Sequence, residues 1–315
     1  MALLRRLPRS TSETQVAGSK NIRIMGMPSP WVLLLPLLAI IAAVAAYPIV
    51  QTIVLSFTDA RLLTGFMASQ WIGFENYQFA LTDREFLAAL GHTFYFTFVS
   101  VFAEAVLGIL IALLLNQEFA GRMFCRALLV LPWAIPTIVN ALMWRLIYQP
   151  DFGGLNAALV QFGLMDNYRS WLGNEASAMN AIIFADVWKN YPLVALITLA
   201  ALQNVPKELH EAARLEGANA WQAFKAVTWP VIAAPVMIAL VLRCIEALKV
   251  FDIIYVMTRG GPANATKTLS FFVYQESFGF NRVGSGASYA LIIVLIAMVF
   301  VAAYVKLLKR VEGAT

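Results

Sequence analysis

The residues best placed to do chemistry in this 315-residue chain are charged groups set inside apolar runs. Asp186 and Lys189 stand three apart in one run, and Arg243, Glu246 and Lys249 repeat that spacing in the next, so each set can share one helix face. Glu104 stands alone in a third run. A charge at membrane depth is costly enough that it turns toward the protein interior or a water-filled space and finds a partner there. Two uses stay open for these groups. They can be neutralised pairs that fix helix packing, or they can line a polar cavity to which Asn140, Asn190 and Tyr191 would add neutral hydrogen-bonding groups. Glu104 can be protonated, pair with a basic residue of another helix, or relay protons. Trp144 and Trp188 can offer aromatic faces to such a cavity or pack helices.

A second polar feature lies over residues 204–230, an interruption in otherwise apolar sequence. Pro206 suits the start of a helix, where a missing N–H costs nothing, and Gly217 suits the left-handed residue that ends one. Asn219 followed by Gln222 resembles a capping box opening a second helix, with Trp221, Phe224 and Val227 at helical spacing. Two short helices joined at a glycine between apolar runs read as a docking element. No Gly-rich phosphate loop, His-Glu-x-x-His or Gly-x-Ser-x-Gly stretch occurs, so the chain neither cradles ATP itself nor reads as an enzyme. Cys125 and Cys244 have no pairing or metal spacing, and His92 and His210 have no companion ligands.

The elements that position these groups are membrane helices. Apolar residues make up 60% of the chain and charged residues 13%, with a mean hydropathy of +0.72, far from soluble composition. A span needs about 20 apolar residues. Six runs qualify, over residues 31–57, 88–116, 123–148, 178–201, 231–250 and 289–308. The fold class expected is therefore all-α, a six-span integral membrane bundle. Leu131-Pro132-Trp133-Ala134-Ile135-Pro136 should bend the third span. With the N-terminus inside, cytoplasmic segments hold thirteen Lys and Arg and the opposite loops six, which places both termini and the 204–230 stretch in the cytoplasm. The net charge of +5 belongs to that asymmetry and does not imply nucleic-acid binding. Residues 1–30 read as a cytoplasmic arm, 31–310 as the membrane domain and 311–315 as a cytoplasmic tail.

The 204–230 stretch resembles the signature of the membrane permeases of bacterial ABC importers, with Glu211-Ala212-Ala213, Gly217 and Val227-Thr228-Trp229-Pro230, Trp229 standing where the family usually has Leu. The resemblance extends over Asp186-Val187-Trp188-Lys189, Phe251-Asp252-Ile253-Ile254-Tyr255, and Gly260-Gly261-Pro262, which look like the carbohydrate-uptake branch. It implies a type I importer permease whose cytoplasmic element, with Glu211, Ala212, Ala213, Gly217 and Pro230, is a coupling helix seated on an ATPase subunit. It implies these partners: a second, homologous permease, a dimer of ATPase chains that bind the ATP and Mg, a periplasmic solute-binding protein, membrane lipid and a sugar-like substrate. It places the chain in the bacterial inner membrane and carries the substrate path onto Asp186, Lys189, Asn190, Leu193, Arg243, Ala247 and Val250. Most of these residue types differ from the maltose pattern, which argues against the same ligand, and Lys189 with Arg243 leaves an anionic sugar open. The rival readings are an ion-coupled secondary transporter using Glu104, Asp186 or Glu246, and an importer of the same kind for a non-sugar solute.

Overall fold

A computed structural model describes residues 30–64 and 69–312. The arm expected over 1–30, Pro30 apart, and residues 313–315 of the expected tail lie outside the described residues. The chain forms two units, residues 1–50 and 51–315. In the first, α1 (Pro30–Ile41) passes through a π-turn at Ala42–Ala46 into α2 (Tyr47–Ser56), whose last residues belong to the second; the rod is apolar and long enough to span a membrane over Leu34–Ser56. Pro36 and Pro48 both lie in this rod, and the wide turn between them is the kind of local adjustment that a membrane helix uses around proline.

In the second unit a short helix α3 (Glu75–Thr82) precedes α4 (Arg84–Asn116), followed by α5 (Arg122–Ala134) and α6 (Thr137–Ile147). Then come α7 (Gly154–Gln161), α8 (Glu175–Leu202), α9 (Lys207–Leu215) and α10 (Ala220–Ala223). Next are α11 (Trp229–Leu248), α12 (Asp252–Met257), α13 (Leu269–Tyr274) and α14 (Val283–Glu312). Among the described residues five helical stretches are long and apolar enough to cross a membrane, and the broken pair α5–α6, counted as one span, makes a sixth. Helix and span ends exceed the apolar windows because caps, not hydropathy, set them. The Asp83 side chain accepts from Glu85 N at 2.9 Å to start α4, and Asn174 does the same for Ala176 N ahead of α8.

The third span does not merely bend. Pro136 forces Ile135 into extended backbone (φ −74°, ψ 129°), which ends α5, and α6 leaves at 95° to it. The fifth span also differs from expectation. Instead of ending at Pro230, the second elbow helix runs on through a π-turn, Phe224–Thr228, so that one stretch extends over Ala220–Leu248. In that turn Trp229 N donates to the carbonyl five residues back, at Phe224, and the widened ring accommodates a proline that has no N–H of its own.

The core is built around α4 and α8, the most extensively packed pair. Gly108 is why they come so close: a Cβ there would meet Val194 Cβ at 2.7 Å. One apolar cluster on this pair includes Phe96, Ile182 and Ile253, and a second includes Ala112, Leu199 and Ile232, which tie in α12 and α11. A third, with Phe86, Phe272 and Tyr289, joins α4 to α13 and α14.

Candidate functional site

Three helices converge on one guanidinium. Arg243 of α11 is 4% exposed, and its Nε and Nη2 donate to the two oxygens of Glu104 on α4 at 2.7 and 3.0 Å. Nη2 also donates to Asp186 Oδ2 of α8 at 3.2 Å, and Nη1 donates to Glu246. Four of the five N–H groups are thus engaged with carboxylates, and Glu104, fully buried, holds the planar fork in a bidentate grip. Asn190 completes the arrangement by donating to Asp186 Oδ1 at 2.9 Å.

Asp186, Asn190, Arg243 and Glu246 of this network line a cavity of about 360 Å3. Of the substrate-path residues named from the resemblance, Asp186, Lys189, Asn190, Arg243, Ala247 and Val250 all line it. Leu193 does not; it is half-buried, one turn further along α8. Lys189 does not pair with Asp186 as its spacing allowed, because Asp186 turns to Arg243 and Asn190. Among the described residues no carboxylate lies within ion-pair distance of Lys189 or Lys249, so both ammonium groups remain available at the cavity wall.

The neutral groups divide. Tyr191, one residue from Asn190, is carried about 100° around the helix and lines a separate apolar cavity with Leu115 and Leu129. Asn140 is buried against α8, donating to Ala185 O at 3.2 Å, away from the polar cavity. Trp144 and Trp188 pack edge to face with centroids 5.8 Å apart, which is the helix-packing role. The aromatic groups on the cavity are instead Phe96, Trp133 and Phe251. Trp133 and Thr137 reach it because they flank the break at Ile135 and Pro136. The two prolines around Trp133 were the signal in the sequence: a broken span at membrane depth is tolerated where it is buried in protein or lines a cavity.

At the other end of α8 and α11 lies the elbow. No residue of α9 is buried; Glu211 and Ala212 are exposed and Ala213 is half-exposed. Gly217 takes φ +79°, with Gly217 N donating to Arg214 O at 3.0 Å and Ala218 N to Ala213 O at 2.9 Å, a Schellman ending. The expected capping box is present: Gln222 N donates to Asn219 Oδ1 at 2.9 Å and Asn219 N to Gln222 Oε1 at 2.8 Å. Leu215 and Trp221 are 90% and 70% exposed, an apolar surface at a polar bend. Lys207 Nζ lies 3.3 Å from Glu118, tying the elbow to the α4–α5 turn.

The sequence matches the family model for the inner membrane component of binding-protein-dependent transport systems over residues 104–313. It is 37% identical over 276 residues to a trehalose/maltose transport system permease of Thermococcus litoralis, covering 88% of this chain and 92% of that one. A sulfoquinovosyl glycerol transport permease of Agrobacterium fabrum is 31% identical, over 88% and 89% of the two chains. A diacetylchitobiose uptake permease of Streptomyces coelicolor is 32% identical, over 91% and 88%. Among solved structures, a chain of a bacterial ABC transporter that imports the acidic polysaccharide alginate has the same fold, with a TM-score of 0.77, 21% identity, and 89% and 94% of the chains covered.

Proposed function

The chain belongs to the family of binding-protein-dependent transport system inner membrane components, and on that premise we propose that it is one permease of an ATP-driven importer that carries a sugar or sugar derivative into the cytoplasm. It works with a homologous second permease, two ATPase chains that hold ATP and Mg, and a periplasmic binding protein. Both of its termini face the cytoplasm. The chain itself carries out no reaction; it supplies the path and the lever.

One observation carries this reading: a polar cavity and an exposed elbow are joined by a single helical stretch. Ala220–Leu248 runs from the capping box of the elbow to Arg243 and Ala247 on the cavity wall. At about 1.5 Å per residue its 29 residues reach roughly 43 Å. A push on Glu211, Ala212 and Ala213 by a closing ATPase would move through Gly217 into this rod and rock it against α8, a rigid-body switch between two packed states. Pro230, held in the π-turn region, lies within the rod and does not break it.

The cavity wall suits a saccharide. Aromatic groups present flat apolar faces, while Lys189, Lys249 and Asp252 offer polar partners to hydroxyl groups. Because four of its five N–H groups are held by carboxylates, Arg243 serves as scaffold. An anionic substituent, if the cargo has one, would meet Lys189 or Lys249.

Two variants in proteoliposomes holding the assembled transporter separate lever from path. Glu211→Lys should leave assembly intact and abolish both uptake and transport-coupled ATP hydrolysis; normal uptake would refute the lever. Asn190→Trp should block uptake while the affinity of the binding protein for its ligand is unchanged, and an unaltered rate would refute the path.

A further inference from the structure

A second cavity is larger than the polar one. It lies at the outer ends of α6, α7 and α8, encloses about 790 Å3, and is walled mainly by apolar and aromatic side chains, among them Trp144, Leu155, Trp171, Ala181 and Phe184. That volume is within the range of small-molecule sites. Its polar wall groups are nearly all satisfied by the protein. Tyr148 OH donates to Ala181 O at 3.1 Å, Ser177 OH donates to Trp171 O at 2.7 Å, and Asn180 accepts from Tyr95 OH at 2.7 Å while donating to Ala176 O. Two groups remain. The indole N–H of Trp144 is buried with no acceptor, which a native structure rarely leaves unexplained. Arg169, the only charged wall residue, is exposed, lies face-on to Trp171 at 3.5 Å, and has no carboxylate within ion-pair distance among the described residues.

An apolar chamber with one unpaired cation at its wall is complementary to an amphiphile with a hydrocarbon tail and an anionic head. Its position adds to that match. The segment around α7 exposes Phe152, Phe162 and Leu164 at 69%, 78% and 70%, beside Tyr168, the aromatic and apolar surface of a segment lying in the membrane interface.

We propose that this cavity is a binding site for an anionic phospholipid, with an acyl chain against Trp144, Leu155 and Phe184 and the anionic head group paired with Arg169. The site is separate from the polar cavity and does not depend on what the importer carries.

The test uses the assembled transporter in vesicles of phosphatidylethanolamine doped with phosphatidylglycerol bearing a diazirine on one acyl chain. After photolysis, peptides of α6, α7 and the first half of α8 should carry label above the background set by α14, whose outer face is open to bulk lipid. Ala158→Trp, which fills the chamber, should bring them to that background. Arg169→Gln should lower phosphatidylglycerol labelling about tenfold, as loss of a charge-assisted contact does, and lower labelling by a phosphatidylcholine bearing the same diazirine, run in parallel, much less, because its choline already neutralises the phosphate; a folding defect would lower both alike. Background-level labelling of the wild-type peptides, or crosslinks from them to another subunit in place of lipid, would overturn the proposal. So would equal phosphatidylglycerol labelling in wild type and Arg169→Gln.

Discussion

Replacing Arg243 with Met tests whether the three-helix network is structural. The substitution removes the only cation that, among the described residues, touches Glu104, whose side chain is 0% exposed, and strips Asp186 of its ion pair while leaving it the Asn190 amide. Uncovering a buried charge in this way costs about 3–5 kcal/mol, so the folded-to-unfolded ratio should fall by roughly two to four decades. The Glu246 arm adds little, because that side chain is 58% exposed and surface pairs contribute about 1 kcal/mol or less. Glu246→Gln should therefore be nearly silent. Glu104→Gln should fall between, at about 1–3 kcal/mol, because its amide oxygen can still accept from Arg243 Nε. The double variant Glu104→Leu with Arg243→Met should recover the part of the loss owed to Glu104, since that charge is gone with its partner and the two changes are non-additive, while Asp186 keeps only the Asn190 amide. Unfolding of the detergent-purified chain by SDS titration, followed by tryptophan fluorescence, reads all four. A Glu246→Gln loss equal to that of Arg243→Met, or a double variant at least as unstable as the sum of its parts, would refute the reasoning.

Gly108→Leu should push α4 from α8 and cost about 1–3 kcal/mol as overpacking, with Val194→Ala restoring part of it in a thermal melt, because Val194 Cβ is the atom the new side chain meets at 2.7 Å. Gly217→Val puts a β-branched residue at φ +79°, a strain of about 1–2 kcal/mol; transport-coupled ATP hydrolysis should drop while the melting temperature of the spans holds. Glu276, outside the spans, is buried, and burial pushes its carboxyl above the ordinary range against the opposing pull of Arg282 at 3.7 Å. The folded chain thus binds this proton more tightly than the unfolded chain does. Stability should decrease as pH rises from about 4.3 through the raised folded value, and Glu276→Gln should flatten that dependence; melts across this range decide it.

Much of the architecture was legible in the sequence because lipid is a demanding solvent. Runs such as 88–116 and 178–201 have to be helices, since no water is present to satisfy an open backbone. The elbow was legible for a different reason, because Pro206, Gly217, Asn219 and Gln222 act through local hydrogen bonds and dihedral angles that need no distant contact. Local chemistry also misled at one point. The sequence bounds the elbow at Pro230 and begins the span at residue 231, yet the helix widens into a π-turn and continues, because the rest of α11 is anchored by Ile232 and Val236 against α4 and α8.

The partners of the buried charges were beyond the sequence. Spacing alone offered Asp186 to Lys189, three residues away, whereas its actual partner, Arg243, is 57 positions on, and Glu104 reaches the same guanidinium across 139. Sequence by itself determined that charges stood at membrane depth, where they need counter-charges, and which stretches would be helical or would cap. Only the packing of α4, α8 and α11 decided which charges meet, leaving Lys189 available and bringing Trp133 to the cavity in place of Trp144 and Trp188. Helical periodicity fixes neighbours within about a turn, whereas the rotation and approach of separate helices follow from the fit of their side chains, such as Gly108 against Val194.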